Sequence, residues 1–340
     1  MSPISAGTSR AVWLGIFTLA LSSSSAFAAD PWISFEGKGG PGKGKHVVLI
    51  AGDEEYRSEE GLPQLAKILS VHHGFDCRVC FSIDPQTGEI DPNLHTNTPG
   101  LEALQSADLV ILLTRFRAYP PEQMKYFVDY LNAGKPFIGL RTATHAFEFP
   151  NDSPFARYSW NSRIAGWPGG FGRQILGETW VNHWGHHGSQ STRGVIAPGM
   201  ESSPLVRGCQ DIWVPTDVYE AHLPDSCVPV IMGEVLSGMS PTDQPVKGKQ
   251  NEPLMPIAWT KLYKVEDGHT ARTFTTTMGA ATDLQSEGLR RLIVNAAYWC
   301  VGLEDKIPEK ADVDLVGDYH PTKFGFNGFQ KGKRPEDYAN

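Results

Sequence analysis

Between residues 45 and 302 the chain alternates short apolar runs with stretches of helical spacing, and this rhythm carries most of the structural information. Compact apolar runs bounded by turn residues read as buried strands, and apolar residues at i, i+3, i+4 and i+7 read as one face of a helix. Residues 46–51 are the first expected strand. Ser58 is placed to cap a helix whose Leu62, Leu65, Ala66 and Leu69 share a face. Strands are expected at 77–83 and 108–114, then a helix from Pro120-Pro121-Glu122 that buries Met124, Phe127, Val128 and Leu131 and stops at Gly134. Residues 137–140 supply a fourth strand. From 148 to about 228 the rhythm breaks into Gly-, Trp- and His-rich sequence, read as a large irregular insertion with short strands such as 194–196. It resumes with strands at 228–235, 256–263 and 271–278. A helix over 284–301 follows, entered through a Thr282-x-x-Gln285 capping box, with Leu289, Leu292, Ile293, Ala296, Ala297 and Cys300 on its apolar face. Strand–helix alternation of this kind predicts an α/β fold, a mostly parallel sheet with helices on both faces.

The ends of the chain read differently. Residues 1–28 have the layout of an export signal: Arg10, an apolar stretch over 11–21 too short to span a bilayer, a serine run, and Ala26-Phe27-Ala28 as the cleavage site. The expected product is a periplasmic or secreted protein with no membrane span after signal removal. Residues 29–45 read as a flexible lead-in, 46–303 as one domain, and 304–340 as a polar tail extended on the surface, with Tyr319, Phe324, Phe326 and Phe329 scattered along it. A net charge of −8 excludes a nonspecific nucleic-acid binder, which needs a basic field. The five cysteines cannot all pair. Cys77 and Cys80, three apart in a strand, face opposite sides, so packing is preferred to redox chemistry. Cys209 and Cys227 flank a segment that a disulfide could staple, although spacing alone does not establish the bridge. The oligomeric state is not legible.

Residues 139–145, Gly-Leu-Arg-Thr-Ala-Thr-His, follow the strand-like Pro136-Phe137-Ile138 into a tight turn. This resembles the G-x-C-x-G-H elbow of class I glutamine amidotransferases, with Arg141 where the nucleophilic cysteine would stand. A guanidinium cannot attack a carbonyl, so glutamine amidotransferase activity is not expected. Joined with residues 47–52, Thr216-Asp217-Val218-Tyr219, Met255-Pro256-Ile257-Ala258-Trp259-Thr260 and the 272–279 strand, the elbow makes the chain resemble the trehalose-utilisation (ThuA) family over about 46–303. The resemblance implies a flavodoxin-like, doubly wound sheet and a role in carbohydrate metabolism, on disaccharides and their oxidised keto forms. Two positions depart from the family pattern: many members carry His in place of Arg141, and Gly-His in place of Gly279-Ala280.

In a parallel sheet the C-terminal strand ends share one edge, which would gather Asp53, Glu54, Arg57 and Glu59 with Arg115, Arg117, Arg141, Thr142, Thr144 and His145. Four arginines there form either a site for a carboxylate, phosphate or polyol, or an ion-pair network neutralised by the acids. His145 is the leading proton-transfer candidate, with Glu59 as carboxylate partner; its alternative role is to cap a helix or bond a buried carbonyl. Asp217 is a further catalytic carboxylate candidate. His183, His186 and His187 form the densest histidine cluster and could hold a divalent metal such as zinc, with Asp217 or Glu220 as an oxygen ligand. Alternatively His183 and Trp184 line a sugar pocket, to which one or two of Trp160, Trp167, Trp180, Trp184 and Trp213 contribute aromatic faces. Thr142 and Thr144 lack a base–orienter pair and are not expected nucleophiles. The leading expectation is acid/base chemistry on a sugar or keto-sugar. Its rivals are a noncatalytic carbohydrate-binding protein and a metal-dependent enzyme built on the histidine cluster.

Overall fold

The computed structural model describes residues 1–3, 7, 30–264 and 268–339, so Arg10, the 11–21 stretch and Ala26-Phe27-Ala28 lie outside it. The chain forms a mixed ten-stranded sheet, α/β in character, in the order β1-β3-β2-β4-β5-β10-β9-β8-β6-β7. At its centre β3 (Asp76–Phe81), β2 (His46–Gly52), β4 (Leu109–Thr114), β5 (Phe137–Leu140) and β10 (Thr270–Thr276) run parallel. Antiparallel strands extend one side through β9 (Met255–Lys264), β8 (Cys227–Val235), β6 (Thr192–Ile196) and β7 (Trp213–Val214). On the other edge β1 (Trp32–Phe35) pairs antiparallel with β3, so the lead-in contains a strand.

The central strands are apolar throughout because both faces are covered. Along β2, Val47 and Leu49 enter the core beneath helices α1 (Ser58–His73) and α3 (Glu287–Cys300), while Val48 and Ile50 enter the core beneath α2 (Pro121–Asn132). Cys77 and Cys80 divide between the same two cores. All five cysteines are free and buried. The Cys209–Cys227 staple does not form: Cys209 faces Asn295, and Cys227 packs in a separate cluster with Ala221 and Trp259.

Three local expectations are corrected. Ser58 does not cap α1 with its side chain. Arg57 occupies the cap position at φ 57°, and Ser58 Oγ accepts the Asp53 amide at 3.0 Å. The Thr282–Gln285 capping box is replaced by a 3-10 turn over Ala281–Gln285, and Ser286 caps α3 by accepting the Leu289 amide at 3.4 Å. The cause is Asp283, whose carboxylate takes the amides of Gly279 (2.8 Å) and Ala280 (3.1 Å) and the Thr216 hydroxyl (2.7 Å), which fixes a turn ahead of the helix. The tail, finally, is packed against the domain. Glu60 on α1 accepts the Thr322 amide and hydroxyl, each at 2.7 Å, and Tyr319 donates to Ala281 O at 2.7 Å. Most of α1 is therefore buried, beyond its Leu62–Leu69 face. Among the described residues no helix is long and apolar enough to cross a membrane.

Candidate functional site

The elbow after β5 is a 3-10 turn over Arg141–His145. Arg141 enters it at φ 44°, a left-handed conformation that costs a residue with a Cβ about 1–3 kcal/mol. That geometry turns the guanidinium inward. Nη1 donates to Asp217 O and Thr277 O, both at 2.7 Å, and Nη2 donates to Asp217 Oδ1 at 2.7 Å and to the Tyr56 hydroxyl at 3.2 Å. The rings of Tyr219 and Tyr56 lie 3.8 and 4.6 Å from the guanidinium carbon. With no exposed surface and both terminal nitrogens bonded, leaving only Nε buried without a partner, Arg141 is a structural cation and leaves no open face for a substrate anion.

Its principal partner, Asp217, is buried and collects two imidazoles as well. His183 Nδ1 lies 2.7 Å from Oδ2, and His187 Nδ1 lies 3.1 Å from Oδ1. Burial alone would raise the carboxyl, but Arg141, His183 and His187 outweigh it and hold Asp217 well below the usual carboxylate range. An ionised carboxylate accepts, so both Nδ1 atoms donate. His187 also places Nε2 3.1 Å from Glu55 Oε1; its bonds to Asp217 and Glu55 push it up to about 9. His183 has a single carboxylate partner and a side chain 36% exposed, so its Nε2 remains available beside Trp180, whose ring centroid is 5.9 Å away.

His145 is buried, with Nδ1 3.1 Å from Thr144 Oγ1. Burial first, then Arg115, Arg141 and His183, hold it well below its ordinary value, so it is neutral. Thr144 lies nearer His145 than its other acceptor, Arg141 O at 3.4 Å. If its hydroxyl donates to Nδ1, the remaining proton sits on Nε2, which becomes a donor. The His145 ring lies 5.3 Å from Phe116, 5.7 Å from Trp180 and 6.4 Å from Tyr219, so both imidazoles border Trp180 and Tyr219.

Several expected site residues lie elsewhere. Arg57 is buried and donates to the Glu55 and Gly325 carbonyls. Arg117, also buried, bonds Ser82, the Pro92 and Leu94 carbonyls and Glu54. Arg115 pairs with Glu54 but keeps an exposed edge between the Phe116 and Phe326 rings. The ion-pair alternative thus holds for Arg115 and Arg117, which share Glu54, and for Arg141 with Asp217. Arg57 instead anchors carbonyls, and among the described residues neither Asp53 nor Glu59 forms an ion pair with an arginine. Thr142 donates to Asp53. Glu59 has no hydrogen bond or ion pair to His145; both its oxygens are buried without a partner, and burial pushes it up to about 8. Trp184 spends its Nε1 on Gln250 O at 2.9 Å and packs on the core. His186 is exposed and outside the cluster, and Glu220 accepts from His222 instead. Of the five tryptophans, Trp180 and, behind it, Trp160 border the imidazoles.

Metal-ligating capacity lies with His183, His187 and Asp217, whose donor atoms all fall within 4.8 Å of one another. The fit is incomplete: His187 is charged and doubly held, and Arg141 already occupies Asp217 Oδ1, so a dication would have to displace a proton beside a fixed cation. Sequence reasoning missed Glu55, Tyr56, Phe116 and Phe324. Glu55 and Tyr56 adjoin the flagged Asp53 and Glu54, whereas no local signal marks Phe324.

The ThuA family model, described as trehalose utilisation, matches residues 48–300. No curated protein matches the chain. Among solved structures, a ThuA-like protein from Parabacteroides merdae is 15% identical, with a TM-score of 0.47, covering 87% of this chain and 99% of its own. A second ThuA-like protein, from Bacteroides uniformis, is 15% identical at a TM-score of 0.45, covering 77% of this chain and 92% of its own.

Proposed function

Because this chain belongs to the ThuA, or trehalose utilisation, family, we propose that it acts on a sugar or keto-sugar by acid/base chemistry at His183, Asp217 and His145. The observation that carries this reading is the 2.7 Å bond from His183 Nδ1 to a carboxylate that Arg141 holds ionised and immobile. Such a carboxylate fixes the tautomer of its imidazole and stabilises the imidazolium that forms when Nε2 takes a proton. The neutral His145 supplies the complementary part, an Nε2–H donor for an oxygen gaining charge. Next to a ketone, His183 would remove the proton from the adjacent carbon and the electron pair would pass to the carbonyl oxygen as an enolate. Collapse of the enolate then either reprotonates carbon, an isomerisation, or expels a β-oxygen that takes the proton back from His183, an elimination. Trp180 offers an aromatic face for a pyranose beside both imidazoles.

The test is proton NMR of the purified protein with disaccharides and their 3-keto derivatives. New product signals that fall by about 10²–10⁴ in rate with His183→Gln are expected. Ligand broadening without product would assign a noncatalytic sugar-binding protein instead.

A second reading is supported by the clustering of the His183, His187 and Asp217 donor atoms: a divalent metal held by three ligands would polarise a sugar oxygen as a Lewis acid. Stoichiometric zinc retained through dialysis, and lost in His187→Ala, would favour it. We further read the parallel centre as flavodoxin-like and doubly wound, supported by the order β3-β2-β4-β5-β10, which corresponds to 2-1-3-4-5. Export is part of the same proposal, supported by the Ala26-Phe27-Ala28 site; an N-terminal sequence of the mature protein beginning elsewhere than Ala29 would remove it.

A further inference from the structure

The tail reaches the imidazoles and completes their surroundings. Phe324 is buried, its ring centroid 5.6 Å from Tyr56 and 5.5 Å from His187. Two residues on, Phe326 lies over the Arg115 guanidinium at 5.0 Å, and the Phe116 ring lies 4.4 Å from the same guanidinium. Phe116 in turn lies 5.3 Å from His145 and 5.9 Å from Trp160. A continuous aromatic and cationic border therefore runs from the tail to the reacting groups.

This placement of the tail is built into the fold. Gly325 donates its amide to Glu55 O at 2.8 Å and accepts from Arg57 Nη2 at 2.5 Å. Arg57 is buried and held at φ 57°, and a Cβ at Gly328 would come within 2.2 Å of its guanidinium. Glu55 thereby links the two halves of the site, its carbonyl holding the tail and its carboxylate holding His187. Phe326, by contrast, is 54% exposed although its neighbour Phe324 is buried. A large aromatic ring pinned by a guanidinium and left open to solvent beside a polar site offers a flat apolar platform, the surface that packs on the face of a pyranose.

We propose that Phe326 is a specificity-determining residue, the platform for the second ring of a disaccharide whose first ring lies at His183 and His145. The inference rests on the carbohydrate reading above and deepens it by assigning the contact for the second sugar ring to Phe326, a contact that a monosaccharide does not make. The tail beyond residue 303 is then part of the binding site.

The experiment is isothermal titration of the full chain and of Phe326→Ala with matched probes: trehalose and its 3-keto derivative against glucose and its 3-keto derivative. Phe326→Ala is expected to weaken the disaccharide that binds by about tenfold while changing the matching monosaccharide by less than about twofold. Phe326→Tyr, which keeps the ring, restores binding. Because the side chain is largely exposed, thermal melting of both variants is expected to match the parent, which separates lost contact from lost structure. Equal losses for both sugar sizes, or none, would overturn the platform while leaving the carbohydrate reading intact. Failure of the parent protein to bind any of the four probes would remove both.

Discussion

Arg141 gives the sharpest test of how the site is held together. Arg141→Met keeps the length and apolar stem of the side chain but removes a buried charge that makes four hydrogen bonds, one of them to the ionised Asp217. Breaking a buried pair by deleting one partner costs about 3–5 kcal/mol, because the survivor stays desolvated without compensation. His187 still faces Asp217 and draws the value toward the lower end, whereas loss of the cation between Tyr56 and Tyr219 adds to it. The expected cost is about 4 kcal/mol, a large fraction of the roughly 5–15 kcal/mol that holds a typical domain. Urea denaturation at pH 7 followed by tryptophan fluorescence measures it. The Arg141→Met/Asp217→Asn double variant leaves a neutral amide in place of a bare carboxylate and is expected to recover about 1–3 kcal/mol. A loss below about 0.5 kcal/mol in the single variant, the range of ordinary surface substitutions, would refute the reasoning and return Arg141 to the role of an open substrate clamp.

Further expectations concern other parts of the same frame. Burial raises Glu59 from 4.5 to about 8, so between those pH values the folded state holds a proton that the unfolded state has released. Stability should therefore fall as pH rises across that window, by at most about 1.4 kcal/mol per pH unit. Glu59→Gln should flatten this slope and be the more stable protein at pH 8; parallel urea midpoints for the two proteins at pH 5, 6.5 and 8 would contradict it. A Cβ at Gly172 would lie 2.1 Å from Thr144 O, on the backbone of the elbow, so Gly172→Ala should lower stability by about 1–3 kcal/mol, and an unchanged melting temperature would show that the elbow is not packed this way. With all five cysteines free and buried, unfolding without reductant should expose five titratable thiols per chain; a count of three would reveal a bridge.

The central strands were legible because burial on both faces makes each a continuous apolar run, as in Leu109–Thr114. The family motifs likewise located the elbow and Asp217. Sequence could not distinguish Arg141 the substrate clamp from Arg141 the structural cation, because the difference lies in a left-handed backbone angle at a residue that rarely adopts one. The histidine cluster was legible as a group but not in its membership. His183 and His187 turn toward Asp217, while His186 between them stays exposed. Glu59 follows the same pattern: it reads with the site residues after the first strand, but it sits in the first turn of α1, buried and with no hydrogen-bond partner for its carboxylate. The tail itself was the largest gap: a backbone carbonyl of Glu55, the Arg57 guanidinium and the Glu60 carboxylate hold it, together with isolated buried residues such as Ile307, Ala311, Val313 and Phe324 that form no helical or strand period in the sequence.

Proton exchange tests the central claim most directly. The 3-keto derivative of trehalose, incubated with the protein in D2O, is followed by the loss of its C–H signals next to the carbonyl relative to a protein-free control. The account requires the parent protein to accelerate that loss, and His183→Gln or Asp217→Asn to slow it by about 10²-fold or more while the fold persists by circular dichroism. No acceleration by the parent, or undiminished exchange in both variants, would contradict the assignment of His183 and Asp217 as the proton-transfer pair.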